Sequence, residues 1–379
     1  IIALPFDGYF LSKLTSEMRS DQYKIRQWNG SAYSPASGTS SVGKGYMFLS
    51  TVRPSSIEGT HNECRPSVTV SITNTWAMMG NPYLENIEWS KVETDNGVSG
   101  AGFMVYNNGY SFQQTLSPLR GAFISSDELQ TNSVVINNPK LNTIEKEYSG
   151  KRYNQITGDE WLLDIELKGG NIHHKISQIG ERDDASNQKD RYDIGMPPSL
   201  GYDYGIRFTN NAARDIREVG SDNVEWTFTV ENDYSPKSTI YWSLQSSHNS
   251  NLYLLDTESG DIVNMSKESF YSFTGKSSRS FKVIKGDLAF ISEQTGRAVG
   301  GFRLYPNPTS KYLYVESYAK ISTDQIKVYT VDGKEVIPSS KDIIREDDLS
   351  QLIRLGVENI SKGTYIVVTR GNSKVFVKE

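Results

Sequence analysis

Short runs in which apolar and polar residues alternate recur along almost the whole chain, and turn-forming Gly, Asn, Asp and Pro residues separate them. Clear examples are residues 67–73, 161–167, 225–230 and 252–255. Alternation with a period of two places successive side chains on opposite faces of a strand, so each run predicts a half-buried β-strand. The sequence therefore predicts an all-β chain.

Helical periodicity is nearly absent. The best helix candidate is residues 11–19, which would give one or two turns. The 22 Tyr and 6 Trp residues, together with many Val, Thr and Ser residues, favour sheets because such side chains fit a pleated, half-buried surface. We expect antiparallel β-sandwiches in tandem.

Turn clusters and changes in composition divide the 379 residues into three segments and a linker. Residues 1–148 are predicted to form a β-rich module, and residues 149–288 a β-sandwich module. Residues 289–301 are rich in small and polar residues and are predicted to be a linker. Residues 302–379 are predicted to form a small immunoglobulin-like β-sandwich. Two or three domains are usual for a chain of this length.

Charge and cysteine content exclude several classes of protein. The net charge is -5 and no block of Lys or Arg occurs, so we expect no binding to nucleic acid or to anionic membranes. Cys64 is the one cysteine, so no internal disulfide can form. No apolar run is long enough to span a bilayer. The sequence opens at Ile1 without a Met or a basic segment, and we therefore expect a processed product or the C-terminal part of a longer protein.

The last segment carries a dense series of strand and turn signals. Alternating runs predict strands at residues 312–317, 326–331, 353–357, 364–368 and 375–377. Asp332 and Gly333 follow the second of these runs, and Asp-Gly is the strongest short signal for a β-hairpin. Pro306 and Pro308 fix φ on both sides of Asn307 and lack an amide donor, which predicts a stiff, extended lead-in to the first strand.

The order and spacing of these pieces resemble the type A C-terminal sorting domain of the type IX secretion system of Bacteroidota. The resemblance is carried by residues 304–308, 312–315, 328–334, 361–367 and 374–378. It implies the following sorting-signal residues: Tyr305, Pro306, Asn307, Pro308, Asp332, Gly333, Lys334, Gly363, Tyr365, Val367 and Lys378. Residues 339–351 form a polar, charged stretch that is longer than is typical of the family at this point, and no strand is predicted there. A generic accessory β-sandwich, for example an adhesive one, is the alternative.

The resemblance also implies a route and a set of partners. The protein would pass through the periplasm and present its folded sandwich to the outer-membrane translocon and its shuttle proteins. A sortase would then remove the sandwich, and the protein would be released or attached to surface polysaccharide. Exposed strand edges would be available for pairing with a partner. We therefore expect a secreted or cell-surface protein whose function is export and display.

Two upstream patterns resemble β modules found in large secreted proteins of the same bacteria. Residues 43–49 and 76–83 are similar to a repeated pair of strands, although Met47 stands where Trp is usual. Residues 183–198 are similar to a loop of a companion sandwich. These similarities imply no activity.

Candidate metal ligands and nucleophiles are few. His173 and His174 are adjacent, so in a strand they point to opposite faces and cannot chelate one metal together. His61 and Cys64 lack a second pair that would complete a zinc site, and no motif supports a nucleophile dyad. With His248, the remaining histidine, they are expected to be ordinary residues.

An acidic loop could supply oxygen ligands to Ca²⁺. Its carboxylates are Glu181, Asp183, Asp184, Asp190 and Asp193. The loop does not match an EF-hand, because Ala185 stands at a ligand position and the loop glycine is missing. Neighbouring Lys and Arg residues also dilute its charge. We expect a solvated loop that caps one end of the sandwich, and calcium binding stays open.

No nucleophile elbow, P-loop or dinucleotide fingerprint occurs. Carboxylates for glycoside hydrolysis would meet only in space, so the sequence does not address them. The six Trp residues could include a platform that stacks on sugars, although Trp in alternating strands is more often part of a core. We expect no enzyme activity, no metal and no cofactor. Two alternatives stay open: a carbohydrate-binding or adhesive module, and the non-catalytic C-terminal part of a secreted hydrolase.

Overall fold

The computed structural model describes residues 2–4, 11–16, 18–52, 65–141, 150–153, 155–199, 204–220, 222–245, 251–275, 277–296, 301–346 and 349–379. In these ranges the chain forms mostly antiparallel sheets, with four short α-helices. The predicted all-β class is confirmed.

The first segment consists of short strands. They are β1 (Ile2–Ala3), β2 (Tyr23–Trp28), β3 (Tyr33–Pro35), β4 (Gly45–Ser50), β5 (Ser67–Ser71), β6 (Trp76–Gly80), β7 (Ile87–Glu88), β8 (Phe103–Tyr106), β9 (Tyr110–Gln113), β10 (Thr115–Leu116), β11 (Gly121–Ser125) and β12 (Ser133–Asn137). Helices α1 (Leu11–Leu14), α2 (Trp89–Asn96) and α3 (Ser126–Leu129) interrupt them. β1, β4, β2 and β3 form one sheet in that order, and β5 pairs with β12.

Helix α2 was not predicted from the sequence. Its apolar side is narrow, since Trp89 and Val92 supply the buried apolar side chains, and its other positions are mostly polar. Gly97 ends the helix with a φ of 65°, a conformation that glycine adopts without steric cost. An eight-residue helix with so short an apolar face is held by its packing against β12 and not by its own periodicity.

The second segment is a two-layered sandwich. Its strands are β13 (Trp161–Gly169), β14 (Ile172–Arg182), β15 (Tyr204–Phe208), β16 (Arg214–Glu218), β17 (Val224–Asn232), β18 (Lys237–Gln245), β19 (Leu252–Asp256), β20 (Ile262–Asn264), β21 (Phe270–Thr274) and β22 (Arg279–Lys285). A 3₁₀ turn covers Thr209–Asn211. One layer has the order β15-β17-β22-β19-β20, and the other contains β21-β18-β13-β14.

Alternation along the strands builds the core of this sandwich. In β13 the buried residues Trp161, Leu163 and Ile165 face the core, and Trp226 and Phe228 of β17 meet them from the opposite layer. The rings of Trp161 and Trp226 pack edge to face with centroids 5.4 Å apart. The intervening residues of β13 therefore point to the outer face of the sheet.

The first two segments share a sheet. The layer that contains β21-β18-β13-β14 continues through β9, β8 and β11 to β6, with β16 beside β14, and so has nine strands. The junction is a parallel pairing in which Lys175 lies opposite Ser111. Phe123 and Ile176 belong to one buried cluster that spans the junction. The boundary between residues 148 and 149 stays a prediction, and the segments on its two sides pack as neighbours.

The expected linker is shorter than predicted. Residues 288–294 form helix α4 (Leu288–Gln294), whose N-terminus is capped by Asp287 through a bond from the Phe290 amide of 2.8 Å. Ile291 is fully buried against Tyr253 and Ile284 of the second segment. Because this apolar contact and the cap fix the helix, the first half of the expected linker belongs to the preceding module.

Residues 302–379 form the predicted small sandwich of two four-stranded sheets. The strands are β23 (Phe302–Tyr305), β24 (Tyr312–Ser317), β25 (Lys327–Thr330), β26 (Glu335–Val336), β27 (Ser340–Glu346), β28 (Gln351–Gly356), β29 (Gly363–Thr369) and β30 (Asn372–Lys378). Their orders are β23-β24-β28-β27 and β26-β25-β29-β30. One 3₁₀ turn, Thr323–Gln325, is the helical element that the structure describes here.

The polar stretch at residues 339–351, for which no strand was predicted, is in large part a strand. β27 pairs along β28, with a bulge between Ile343 and Arg345. β27 is an edge strand whose side chains are mostly exposed, so its sequence is polar and lacks alternation.

Within the described ranges, no helix combines the length and the apolar character that crossing a bilayer would require.

Candidate functional site

The C-terminal sandwich has a core of its own. Its buried members all lie between residues 302 and 376: Phe302, Leu313, Val315, Ile321, Ile326, Val328, Ile353, Leu355, Val357, Ile360, Tyr365, Val367 and Phe376. A contact with the second segment comes from Leu349, which packs against the cluster that contains Ile291. The domain can therefore bury its apolar side chains without the rest of the chain.

Asn307 joins the first part of the sorting motif to the last strand. Its side-chain amide donates to the Val375 carbonyl at 3.1 Å, and its side-chain oxygen accepts from the Val377 amide at 2.9 Å. The asparagine side chain thus makes the hydrogen bonds that the backbone of a neighbouring strand would make. This explains why a small amide side chain stands between the two prolines.

Thr309 extends the same pairing through its backbone. Its amide donates to the Val377 carbonyl at 2.9 Å, and its carbonyl accepts from the Glu379 amide at 2.8 Å. This forms a parallel bridge to Lys378. The segment 307–309 therefore covers part of the free edge of β30, which would otherwise expose unpaired backbone groups.

Pro306 and Pro308 precede the predicted first strand, residues 312–317, but a further strand, β23, comes before them and was not predicted. Tyr305 ends β23, which already pairs with β24. Pro306 and Pro308 lie in the connection between these two strands, and each follows a cis peptide bond. Tyr305 stacks on Tyr314 with ring centroids 5.9 Å apart, and partial burial raises the pKa of the Tyr305 hydroxyl.

Asp332 and Gly333 form the turn of the predicted hairpin between β25 and β26. The Gly333 amide donates to the Thr330 carbonyl, and the Thr330 amide donates to the Lys334 carbonyl, each at 2.9 Å. Gly333 has a φ of 87°, which L-residues with a side chain rarely adopt. A hydrogen bond with Thr330 lowers the pKa of the Asp332 carboxyl.

Strand register brings the separate motifs to one end of one sheet. Thr330 lies opposite Tyr365, and Tyr365 lies opposite Phe376. Two pairs further along, Gly363 faces Lys378, beside the bridge to Thr309. The Asp332 turn, the Gly363 turn, the Asn307 segment and the last residues of β30 are therefore neighbours, although up to 70 positions separate them.

Several predicted signal residues are structural. Val367 is fully buried, and Tyr365 is buried with its ring stacked on Phe376 at 5.5 Å and its hydroxyl donating to the Ser361 carbonyl. Lys378 is only 8% exposed. These residues shape the sandwich, and the surface available to a partner is made by others.

That surface is unusually apolar. Of the large apolar side chains that are exposed in the described residues, nearly half belong to this domain, which is a fifth of the chain: Tyr305, Val331, Ile337, Ile343, Ile344, Val375 and Val377. Sequence analysis selected only Tyr305 among them, and it missed Thr309. Apolar residues on edge strands were the available signal, since β27 and β30 both end their sheets. Val375 and Val377 lie two positions apart on β30, and exposed apolar residues that lie together commonly mark interaction sites.

The adjacent histidines behave as predicted for a strand. His174 is buried, and burial lowers the pKa of its imidazole to about 4. His173 is half-buried on the other face and contacts Glu166, with 2.6 Å between Nε2 and Oε2. His61, Cys64 and His248 lie outside the described residues.

Two carboxylates of the acidic loop are engaged by cations. The Glu181 carboxylate, almost fully buried, accepts from Lys285 at 2.6 Å and from the Trp161 indole at 3.1 Å. Asp184 accepts from Arg191 and from the Tyr192 hydroxyl.

Two further carboxylates fix the backbone of the loop. Asp190 accepts from the amides of Ser186 and Tyr192, and Asp193 accepts from the amides of Asp190 and Ile216. Burial raises the pKa of Asp193 to about 7. Asp183 is exposed. The described residues contain no group of three or more His, Cys, Asp or Glu side chains arranged to hold a metal ion.

The tryptophans form no exposed platform. Five are buried: Trp76, Trp89, Trp161, Trp226 and Trp242. Trp28 is half-buried and its indole donates to the Trp76 carbonyl at 3.0 Å. An aromatic site for sugars, if present, must therefore use other residues.

Comparison with known proteins agrees with the geometry of the C-terminal sandwich. Residues 303–379 match the family model described as a secretion system C-terminal sorting domain. No curated protein and no solved structure matches the chain. The matched range begins one residue into β23 and runs through β30, so it coincides with the separately packed sandwich. The chain thus ends in a type IX secretion C-terminal sorting domain, which marks it as cargo of that secretion system.

Proposed function

We propose that the folded C-terminal sandwich, and not a linear peptide within it, is the signal that the outer-membrane translocon recognises. The observation that carries this proposal is the convergence of the motif pieces at one end of one sheet. An unfolded chain would scatter these pieces over more than 70 residues, whereas the folded domain presents them together with its exposed apolar side chains.

The test compares two valine substitutions in the full-length protein. Val367→Asp places a charge in the sandwich core, where the valine is fully buried, and should abolish surface display. Val52→Asp changes the same side chain at a position 43% exposed in the first segment and should leave display unchanged. Surface protease accessibility and periplasmic abundance are measured together. Normal display of the Val367→Asp protein would contradict recognition of the fold.

A second experiment asks which surface of the folded sandwich is read. Val375→Asp alters a side chain that is 53% exposed on edge strand β30, so the domain should still fold. We expect the protein to accumulate in the periplasm with an unchanged melting temperature. If display is normal, the apolar face of β30 is not the recognised surface, although recognition of the fold could still hold.

We further propose that a sortase removes the sandwich after export. The domain has a separate core and follows helix α4, so cutting between Gln294 and Phe302 would leave the second segment intact. The mass of the surface-displayed form should then correspond to a chain that lacks residues 302–379. A surface form that retains the sandwich would overturn this step without affecting the export signal.

A further inference from the structure

The outer face of the second segment carries an exposed pair of aromatic side chains. Tyr241 on β18 and Phe270 on β21 lie directly opposite each other and are 38% and 51% exposed. Their ring centroids are 6.1 Å apart and their planes are tilted by 38°. Two large apolar rings held open to solvent on neighbouring strands lack a role in the core, which lies on the other face of the sheet.

Polar side chains continue the same row across the sheet. Glu166 on β13 lies directly opposite Tyr241, on the same face. Beyond it on β14, His173 and Lys175 approach the Glu166 carboxylate at 2.6 and 3.7 Å. The row therefore runs from two aromatic rings to a carboxylate that is flanked by an imidazole and an ammonium group.

A second polar group lies one pleat along β13. Asp164 accepts from the side-chain amides of Gln178 on β14 and Gln245 on β18. Tyr153 donates to the oxygen of the same Gln178 amide. This network holds amide and carboxylate groups in fixed positions at the surface, and such pre-organised groups lower the cost of binding a polar ligand.

Both polar groups open into a cleft of about 920 Å³ between the first and second segments. Asp164, Glu166, His173, Lys175, Gln178 and Gln245 line one side of it. The size suits an extended ligand and not only an ion or a water molecule. The aromatic pair does not line this cleft, but it continues the same face of the sheet, because Tyr241 lies opposite Glu166.

We propose that this outer face binds a neutral polysaccharide chain. The C–H faces of sugar rings are apolar and match Tyr241 and Phe270, while vicinal hydroxyls match the paired acceptors and donors of carboxylate and amide side chains. The row combines the carboxylates of Asp164 and Glu166 with the ammonium group of Lys175, so the face has no excess of positive charge that would favour an anionic polymer.

The tilt of the rings points to a single flexible chain and away from a flat crystalline surface. Neighbouring strands are rotated by roughly 20–25°, and side chains on β18 and β21 follow this twist. A separate glycan chain can twist with them, whereas a planar surface would touch one ring at a time. This inference is independent of the sorting function of the C-terminal domain.

The test is affinity electrophoresis of the purified full chain in native gels that contain one soluble polysaccharide each. The neutral probes are mixed-linkage β-glucan, xylan, galactomannan and dextran, and alginate is the anionic probe. We expect retardation by at least one neutral polysaccharide and none by alginate. Retardation by alginate alone, or no retardation in any neutral gel, would overturn the proposal.

Variants locate the site. The double variant Tyr241→Ala with Phe270→Ala should weaken binding at least tenfold, and Glu166→Gln, which keeps the shape of the side chain, should weaken it several-fold. Tyr234→Ala is the matched control, because Tyr234 is also 38% exposed but packs near Tyr204, away from this row. A melting temperature confirms that each variant is folded. If the folded double variant bound the polysaccharide as tightly as the unchanged protein, the assignment would be refuted.

Discussion

The C-terminal sandwich and the two upstream segments bury their apolar side chains in different ways. The sandwich closes a complete core within residues 302–376, whereas the upstream segments share a nine-stranded sheet and a buried cluster across their junction. Their surfaces differ as well, since exposed apolar residues are concentrated in the sandwich. A separate core allows the sorting domain to fold on its own, whereas a shared core makes the two upstream segments depend on each other.

The largest expected effect comes from removing a buried ion pair that links the two upstream segments. Arg214 of β16 donates to Glu128 of α3 at 2.9 Å, and both side chains are buried. Arg214→Ala leaves the Glu128 carboxylate buried without its cation and should cost about 3–5 kcal/mol of the free energy of unfolding. Calorimetry should show a lower upstream transition and an unchanged transition of the sandwich.

The control for that change is Lys189→Ala. Lys189 also links the two upstream segments, through Asp127 at 2.7 Å, but its side chain is 68% exposed. Exposed pairs contribute about 0–1 kcal/mol, so the upstream transition should barely move. A shared shift of both transitions in the Arg214→Ala protein would show that the sandwich is not independent.

The converse change should affect the sandwich alone. Ile353 is fully buried, and Ile353→Ala should cost about 2–5 kcal/mol through lost burial and a residual cavity. Ile343 lies directly opposite on β27 and is 49% exposed, so Ile343→Ala is the matched control with little expected effect. Unfolding followed by separate calorimetric transitions measures both. A lowered upstream transition would contradict separate folding.

A smaller effect is expected at the sorting motif. Asn307→Ala removes two hydrogen bonds to β30, each contributing about 1 kcal/mol when solvent competes. The amide of Val377 should then exchange its hydrogen faster than in the unchanged protein. Asn359→Ala is the comparison, because it removes one exposed bond to the Ile337 carbonyl. Unchanged exchange at Val377 would show that the asparagine does not hold the strand.

The smallest expected effect is a pH dependence confined to the upstream segments. Burial raises the pKa of Asp193 from 3.8 to about 7, so between these values the folded state binds a proton that the unfolded state releases. This contribution to stability is therefore present at low pH and is lost as the pH rises towards 7. Because Asp193 is partly exposed, this pH-dependent contribution to stability is smaller than full burial would give.

His174 works in the opposite direction, because its pKa falls from 6.5 to about 4, and its contribution is lost as the pH falls through that range. The measurement is therefore the difference in melting temperature between the unchanged protein and Asp193→Asn at pH 4 to 8. The decline in stability that Asp193 causes between pH 4 and 7 should be absent in the Asp193→Asn protein. Equal curves for the two proteins would rule out titration of Asp193.

Strand positions in the sandwich could be predicted from the sequence because each strand alternates and each turn has its own residues. The predicted strand at residues 312–317 coincides with β24. Edge strand β27 was missed because most of its side chains are exposed to solvent, so its sequence does not alternate between apolar and polar residues. Helix α2 was missed for a related reason, since packing and not periodicity holds it.

The candidate sites show the same limit. The motif identified the sorting domain, but the pairing of Asn307 with Val375 and Val377 depends on register between distant strands. The row from Phe270 through Tyr241 to Glu166 likewise joins three strands, and no local spacing reports it. Trp content pointed to aromatic residues that proved to be core.

The bridge between Thr309 and Lys378 has a consequence for biosynthesis. Residues 307–309 leave the ribosome well before residues 375–379, which are made later. A product that stops short of residue 375 has no strand for Asn307 to hold and leaves one side of the sandwich open. Prematurely terminated copies would then contain most of the motif but could not complete the sandwich. Only chains translated at least this far would therefore carry a fully folded sorting domain.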